Sequence, residues 1–203
     1  KWKNPEGGYF HAMHSHDWGD FHYRITGKNE KGELQLEGGW QNNRPMGIHP
    51  ENRMVENIFE ELDAPGEWYY DKQEGWLYYY PLSDENINEL VFETPQLKNL
   101  IEIAGTSSHP VKNITIEGIE LTQTIRTFME HYEPLLRSDW TIYRGGAVIF
   151  RGTEKCTLRD CYIHHVGGNG VFFDKYNRNS AVTGSYLTSI GASAICFVGD
   201  VAG

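Results

Sequence analysis

Three segments in the last third of the chain repeat one short apolar pattern, and this repeat constrains the fold more than any other feature. The segments are Gly146–Phe150, Gly170–Phe173 and Ala194–Phe197, and their matching positions are 23 and then 24 residues apart. Short strands of β-branched and aromatic residues at such a period are typical of a β-solenoid, because one repeat unit cannot bury its apolar side chains until a second unit stacks on it. The repeat therefore predicts strands that pair between successive units.

A second strip has the same period. Residues 116–121, 158–163 and 182–187 match one another, and the second and third copies are 24 residues apart. Alternate residues of a strand point to the same side, so the repeat predicts inward columns such as Phe150, Phe173 and Phe197. Asp160 occupies the position that glycine has in the other two copies, which indicates a structural bend.

One insertion interrupts the repeat. The spacing between the first and second copies of the second strip is 42 residues, and the extra residues fall mostly in 123–144. Long loops on a solenoid usually line its binding face. We therefore expect residues 123–144 to border a site.

The first 104 residues lack the repeat and predict a β-rich region, inserted in or packed on a solenoid of residues 105–203. Two aromatic runs separated by a turn that ends in Gly75 predict a β-hairpin over residues 67–80. Apolar side chains recur at helical spacing over residues 54–62 and predict a short helix. Residues 90–93 are a predicted strand.

Charge and composition exclude several classes of partner. The net charge is −10 and the chain has no run of Lys and Arg, so we expect no binding to nucleic acid. The same acidity disfavours polyanionic polysaccharides. No apolar run approaches the roughly 20 residues of a membrane-spanning helix, so no membrane partner is expected. The three cysteines match no metal spacing and predict small buried side chains.

Five segments of the chain carry a resemblance to a known family: Glu56–Trp68, Leu77–Pro81, Val111–Ile116, Val166–Val171 and Ile190–Ala194. Through them the chain resembles the right-handed parallel β-helix, or pectin-lyase-like, proteins, and in particular the bacterial β-helix glycoside hydrolases. The resemblance implies an all-β solenoid of a secreted or periplasmic bacterial protein that acts on a plant or host glycan without a cofactor. Such proteins are usually larger, and this chain begins without Met and stops within a repeat, so we expect it to be a piece of a longer protein.

The scaffold alone does not define the reaction, because it hosts several chemistries. A glycoside hydrolase that uses a carboxylate pair on an oligo- or polysaccharide is the first hypothesis. A polysaccharide lyase acting on a uronate-containing glycan is the second, although the chain offers no basic strip along the repeat. A non-catalytic solenoid that binds glycans is the third.

Hydrolysis of a glycosidic bond needs two carboxyl groups, roughly 5–5.5 Å apart for retention and roughly 6.5–9.5 Å apart for inversion. Adjacent strands of a sheet lie about 4.8 Å apart, so carboxylates at similar places on adjacent repeats are at a plausible distance. Asp174 and Asp200 leave the same column of strands, two residues out of register, and are the first candidates. Asp139 in the long loop is the third. Each of them also has the alternative interpretation of an ordinary turn or loop residue.

Aromatic and polar residues near these carboxylates are candidate substrate contacts. They are Trp18, Trp140, Arg144, His16, His165 and Asn169. His11, His14 and His16 alternate, so on a strand they would face one side, with metal binding, sugar contacts and structural roles as the alternatives. The resemblance calls for no metal there, and none is predicted.

Overall fold

The computed structural model describes residues 2–43, 46–135 and 141–200, and regular structure in these ranges is almost entirely β. The predicted all-β class is confirmed. The described residues divide into two compact units, one ending at residue 93 and joined by Thr141, the other comprising residues 94–135 and 142–200. The boundary after residue 104 stays a prediction. No helix in the described ranges is long and apolar enough to cross a membrane.

The first unit contains an antiparallel sheet of four strands. They are β1 (Tyr9–His14), β2 (Asp20–Lys28), β3 (Leu34–Gly38) and β4 (Ile48–Glu56). Their order across the sheet is β3-β2-β1-β4. Phe21 and Ile25 of β2 are buried, as expected for residues an even number apart, whose side chains point to the same side of a strand.

The hairpin of the first unit joins β5 (Trp68–Asp71) to β6 (Trp76–Tyr79), which pair antiparallel. Two single-turn 3-10 helices, Phe59–Glu61 and Ile87–Glu89, complete the unit. The helix predicted over residues 54–62 is reduced to the 3-10 turn at Phe59–Glu61, since β4 continues to Glu56 through its pairing with β1. The strand predicted over residues 90–93 is also wrong, because those residues form no ladder.

The second unit is built from short strands. They are β7 (Ile101–Ala104), β8 (Val111–Lys112), β9 (Thr115–Glu117), β10 (Glu120–Thr124), β11 (Glu133–Pro134), β12 (Thr141–Ile142, whose second residue lies in this unit), β13 (Val148–Glu154), β14 (Thr157–Arg159), β15 (Tyr162–Val166), β16 (Val171–Arg178), β17 (Ala181–Thr183), β18 (Tyr186–Ile190) and β19 (Ile195–Val198). Most of them belong to three parallel sheets, ordered β7-β13-β16-β19, β9-β14-β17 and β10-β15-β18. From β13 onward the chain visits the three sheets in a fixed order, so each repeat gives one strand to each sheet.

The register of these sheets is the one that the repeat predicts. Val148 pairs with Val171, and Val171 with Ile195, all in parallel. Phe173 pairs with Phe150 on one side and Phe197 on the other. The second strip pairs in the same way across the other two sheets. The predicted pairing between successive repeats is therefore confirmed.

Apolar side chains fill the column that the repeat predicts to face inward. Phe150 and Phe173 are fully buried, and their rings stack with centroids 4.8 Å apart. Phe197 stacks on Phe173 at 4.4 Å but remains 69% exposed, because β19 is the edge strand. Ile149 and Phe172, which point the other way, are also buried, so this sheet is covered on both faces. The three cysteines are buried, as predicted, and are free thiols.

The bends between the strands use left-handed backbone. Gly118, Asp160 and Gly184 have φ values of 67°, 52° and 59° at equivalent positions of three repeats. Asp tolerates this conformation better than most residues, which explains why it replaces glycine here. The structural role predicted for Asp160 is confirmed.

Candidate functional site

A depression of about 620 Å³ lies where β1 turns into β2 of the first unit. Its lining consists of Ser15, His16, Asp17, Trp18 and Met46. Two of the predicted substrate contacts, His16 and Trp18, thus lie together, with their ring centroids 6.1 Å apart. The serine and the methionine are not predictable as site residues from the sequence, because no local pattern connects them to the others.

The turn that carries these residues is held by backbone hydrogen bonds. His14 N–H donates to the Gly19 carbonyl at 2.8 Å, and Asp17 N–H donates to the His14 carbonyl at 2.8 Å. Asp17 adopts a left-handed backbone with φ of 58°, which Asp accepts at a turn. These bonds bring Trp18 back over the end of β1.

Trp18 offers a flat apolar surface to solvent. Its side chain is 51% exposed, and its ring lies parallel to the buried ring of His14, with a 3° interplanar angle and centroids 6.0 Å apart. A ring supported in this way presents its surface at a fixed angle, and an indole combines an apolar body with one polar N–H. This is the arrangement that a sugar ring can stack on.

Polar groups surround the indole. Asp17 Oδ1 accepts a hydrogen bond from Asn52 Nδ2 at 2.9 Å and lies 4.0 Å from His49 Nε2. The Asp17 side chain is largely exposed, so its other oxygen can reach a hydroxyl group in the depression. Together with the Ser15 hydroxyl, it gives the depression the mixed lining of small-molecule sites.

The histidines of this region do not share one face as the alternation predicts. A bulge between Ala12 and His14 shifts the register of β1, and His16 lies beyond the strand. His11 instead faces His22 across the sheet, with their Nδ1 atoms 2.6 Å apart. Within the ranges that the structure describes, no cluster of three or more His, Cys, Asp or Glu residues could hold a metal ion.

His22 also interacts with a carboxylate. Its Nε2 lies 3.2 Å from Asp20 Oδ2, and this hydrogen bond lowers the pKa of Asp20 below its ordinary value, with burial opposing the shift. The Asp20 side chain is 57% exposed, although that of His22 is only 19% exposed, so solvent screens the pair and its contribution to stability is small.

In the second unit, Asp174 is enclosed by two arginines. Its side chain is 2% exposed, and its oxygens accept hydrogen bonds from Arg144 Nη1 at 2.5 Å and Arg151 Nε at 2.6 Å. Both oxygens are therefore engaged. These contacts favour a structural ion pair over the catalytic role predicted from the sequence, which stays a prediction.

Arg144 ties several segments together. Besides Asp174 it donates to Glu133 at 2.7 Å and to the carbonyls of Val198 and Gly199 at 3.3 and 2.8 Å. Each nitrogen of this guanidinium therefore donates a hydrogen bond to an acceptor within the protein. The contacts favour a structural role for this predicted substrate contact as well.

Asp200 has a different environment. Its side chain is 61% exposed, and its nearest charged partner is Lys175, with an Nζ to Oδ1 distance of 3.8 Å. A loose pair of this kind leaves the carboxylate accessible to a ligand. The remaining predicted pair, Asp139 and Trp140, lies outside the described residues.

Asn169 is buried and bridges backbone segments. Its Nδ2 donates to the carbonyls of Tyr143 and Gly145 at 3.1 and 2.8 Å, and its Oδ1 accepts from Ser193 N–H at 3.2 Å. Both amide protons are used, so the geometry favours a structural role. Its predicted contact with substrate stays a prediction.

His165 lies exposed on the third parallel sheet. Its left-handed backbone, with φ of 49°, brings its Nδ1 to 2.6 Å from Nδ1 of His164. His164 in turn lies 2.7 Å from the Glu120 carboxylate through Nε2. The grouping of Glu120, His164 and His165 cannot be seen in the sequence, because Glu120 comes from the preceding repeat, 44 residues before His164.

No family model and no curated protein matches the chain. The fold is similar to that of a solved structure titled "Glycoside hydrolase", with a TM-score of 0.69 and 19% sequence identity. The alignment covers 88% of this chain and 36% of the other, so the chain spans about a third of that protein's length. At this identity the likeness establishes a shared fold.

Proposed function

We propose that this chain belongs to a carbohydrate-active protein of the glycoside hydrolase type and binds a neutral glycan at the Trp18 depression. The observation that carries the proposal is the half-exposed indole of Trp18, supported from below by His14 and flanked by the polar groups of Ser15, His16 and Asp17. Sugars combine apolar ring faces with hydroxyl groups, and this lining offers partners for both.

The architecture supports the same class. The chain visits three parallel sheets in a fixed order, which is the order of strands expected in a parallel β-helix, and right-handed crossovers are the rule for parallel strands. We therefore propose a right-handed parallel β-helix for the second unit. The likeness to a structure titled as a glycoside hydrolase is in keeping with this class.

The charge of the chain favours a neutral substrate. A protein with net charge −10 repels a polyuronate at long range, and the depression itself contains a carboxylate. Among the predicted catalytic residues, Asp200 has the accessibility that a general acid or base needs. We retain it as the candidate and assign Asp174 a structural role.

Calorimetric titration with neutral oligosaccharides of hemicellulose tests the binding proposal. Trp18→Ala is expected to weaken binding at least about tenfold, because the stacking surface is lost. Trp76→Ala is the matched control, since that indole is 64% exposed but does not line the depression. Equal effects of the two substitutions, or wild-type affinity in Trp18→Ala, would exclude the depression as the binding site.

Release of reducing ends from aryl glycosides and oligosaccharides tests hydrolysis. Asp200→Asn is expected to lower turnover by about 10²–10⁴, the usual contribution of a general acid or base, without lowering the melting temperature. Asp84→Asn, an exposed carboxylate of the other unit, is the control. Unchanged turnover removes Asp200 from the mechanism, and calcium-dependent formation of unsaturated uronates would assign the protein to the lyases.

A further inference from the structure

His14 is the least exposed of the residues around the Trp18 depression. It is the last residue of β1 and is fully buried, with 0% exposure. Its ring lies parallel to the indole of Trp18, with centroids 6.0 Å apart, and at 29° to the ring of Phe21, with centroids 6.1 Å apart. The ring of His14 therefore packs between two aromatic neighbours, and for this packing alone a phenylalanine would serve equally well.

The imidazole also fixes the turn that carries the indole. His16 N–H donates to His14 Nδ1 at 3.0 Å, so Nδ1 is the acceptor and the proton of the neutral ring is on Nε2. His14 Nε2 is buried and makes no hydrogen bond to any residue that the structure describes. A buried donor without a partner reduces stability, and a native group of this kind calls for an explanation.

Neither simpler side chain would do both tasks. Phenylalanine would support the indole but leave the His16 N–H without its acceptor. Asparagine would supply an acceptor near the Nδ1 position but no ring under Trp18. Histidine combines the two, at the cost of the buried Nε2–H.

We infer that His14 is a positioning residue, which sets the angle of the Trp18 ring and the turn at residues 15–19 for the glycan. The inference rests on the proposed function and adds to it the residue that determines the affinity of the site. Because a preorganised ring loses little freedom on binding, the effect of His14 appears in the affinity for glycan.

The test compares His14→Phe with His14→Asn by urea unfolding and by calorimetric titration with the neutral oligosaccharide that binds the wild type best. His14→Phe is expected to be at least as stable as the wild type and yet to bind about three- to tenfold more weakly, the factor expected for the ordering of one large side chain. His14→Asn is expected to be less stable and to lose affinity by a similar factor. Wild-type affinity in either variant overturns the inference.

A second measurement separates this inference from the proposed function. The measurement is the quenching of Trp18 fluorescence by acrylamide, in the wild type, in His14→Phe and in His14→Asn. In each case the fluorescence of the same protein carrying Trp18→Phe is subtracted, so that only the signal of Trp18 remains. About twofold more quenching in each His14 variant is expected, because the indole is no longer held. If the wild type binds no neutral oligosaccharide, the proposed function fails, and the quenching alone then tests whether His14 positions Trp18. Equal quenching in the wild type and the two His14 variants would exclude a positioning role.

Discussion

Replacing Phe173 by alanine is expected to lower the free energy of unfolding by about 4–5 kcal/mol. Phe→Ala substitutions in protein cores cost about 3–5 kcal/mol through lost transfer energy and the cavity left behind. Phe173 belongs at the upper end, because it is 1% exposed and stacks on both neighbours, with interplanar angles of 12° to Phe150 and 1° to Phe197. Each aromatic pair contributes about 0.5–1.5 kcal/mol beyond the burial of its area.

Phe197→Ala is the matched control, because Phe197 occupies the same column in the next repeat. It is 69% exposed and, within the part of the chain that the structure describes, stacks on a single ring, so its removal is expected to cost about 1 kcal/mol, the contribution of one aromatic pair. Urea unfolding followed by circular dichroism measures both variants, with unchanged m-values as the sign that the denatured state is the same. A cost below about 1 kcal/mol for Phe173→Ala, or equal costs for the two, would refute the stacked column.

Three other substitutions test the electrostatics and the edge of the fold. Asp174→Ala is expected to cost about 3 kcal/mol in urea unfolding, because it removes the buried carboxylate that pairs with both Arg144 and Arg151, and a cost near zero would contradict the enclosed ion pair. The hydrogen bond from Lys112 is the main cause that lowers the pKa of Glu154, so Glu154 stabilises the fold above about pH 4.3 and the effect is lost as the pH falls through the lowered pKa. The difference in melting temperature between wild type and Glu154→Gln should therefore shrink in acid, and a constant difference from pH 3 to 7 would exclude this linkage. Phe197→Lys is expected to suppress concentration-dependent association of this chain in light scattering, because β19 is the outermost described strand of its sheet and a charge on an edge strand opposes pairing with another chain; a wild type that stays monomeric at high concentration would refute that expectation.

The repeat made the strand pairing predictable, because its period alone fixes which residues face one another. Val148, Val171 and Ile195 pair in the order that the spacing requires. Local pattern failed where pairing with distant residues determined the structure. The helical spacing at residues 54–62 was overridden because residues 54–56 of β4 pair with residues of β1 that lie more than 40 positions earlier in the chain.

The candidate site was only partly predictable for the same reason. The sequence placed His16 and Trp18 among the candidates by residue type, but the bulge at Ala12 and the turn that stacks Trp18 on His14 have no signal in a single sequence. Asp174 showed the opposite case. Its position after a strand suggested an accessible carboxylate, whereas Arg144, 30 residues away, closes over it.

The left-handed bends make the second unit modular. Gly118, Asp160 and Gly184 are equivalent points of successive repeats, so removal of residues 160–183 would join Arg159 to Gly184 and place β18 beside β10 and β19 beside β13 in the existing register. Each of the three parallel sheets would lose one strand, and with it about 4.8 Å of its width. The length of such a protein can change by whole repeats, through duplication or excision of 24 residues. The sequence of the first unit, with its depression, would stay the same.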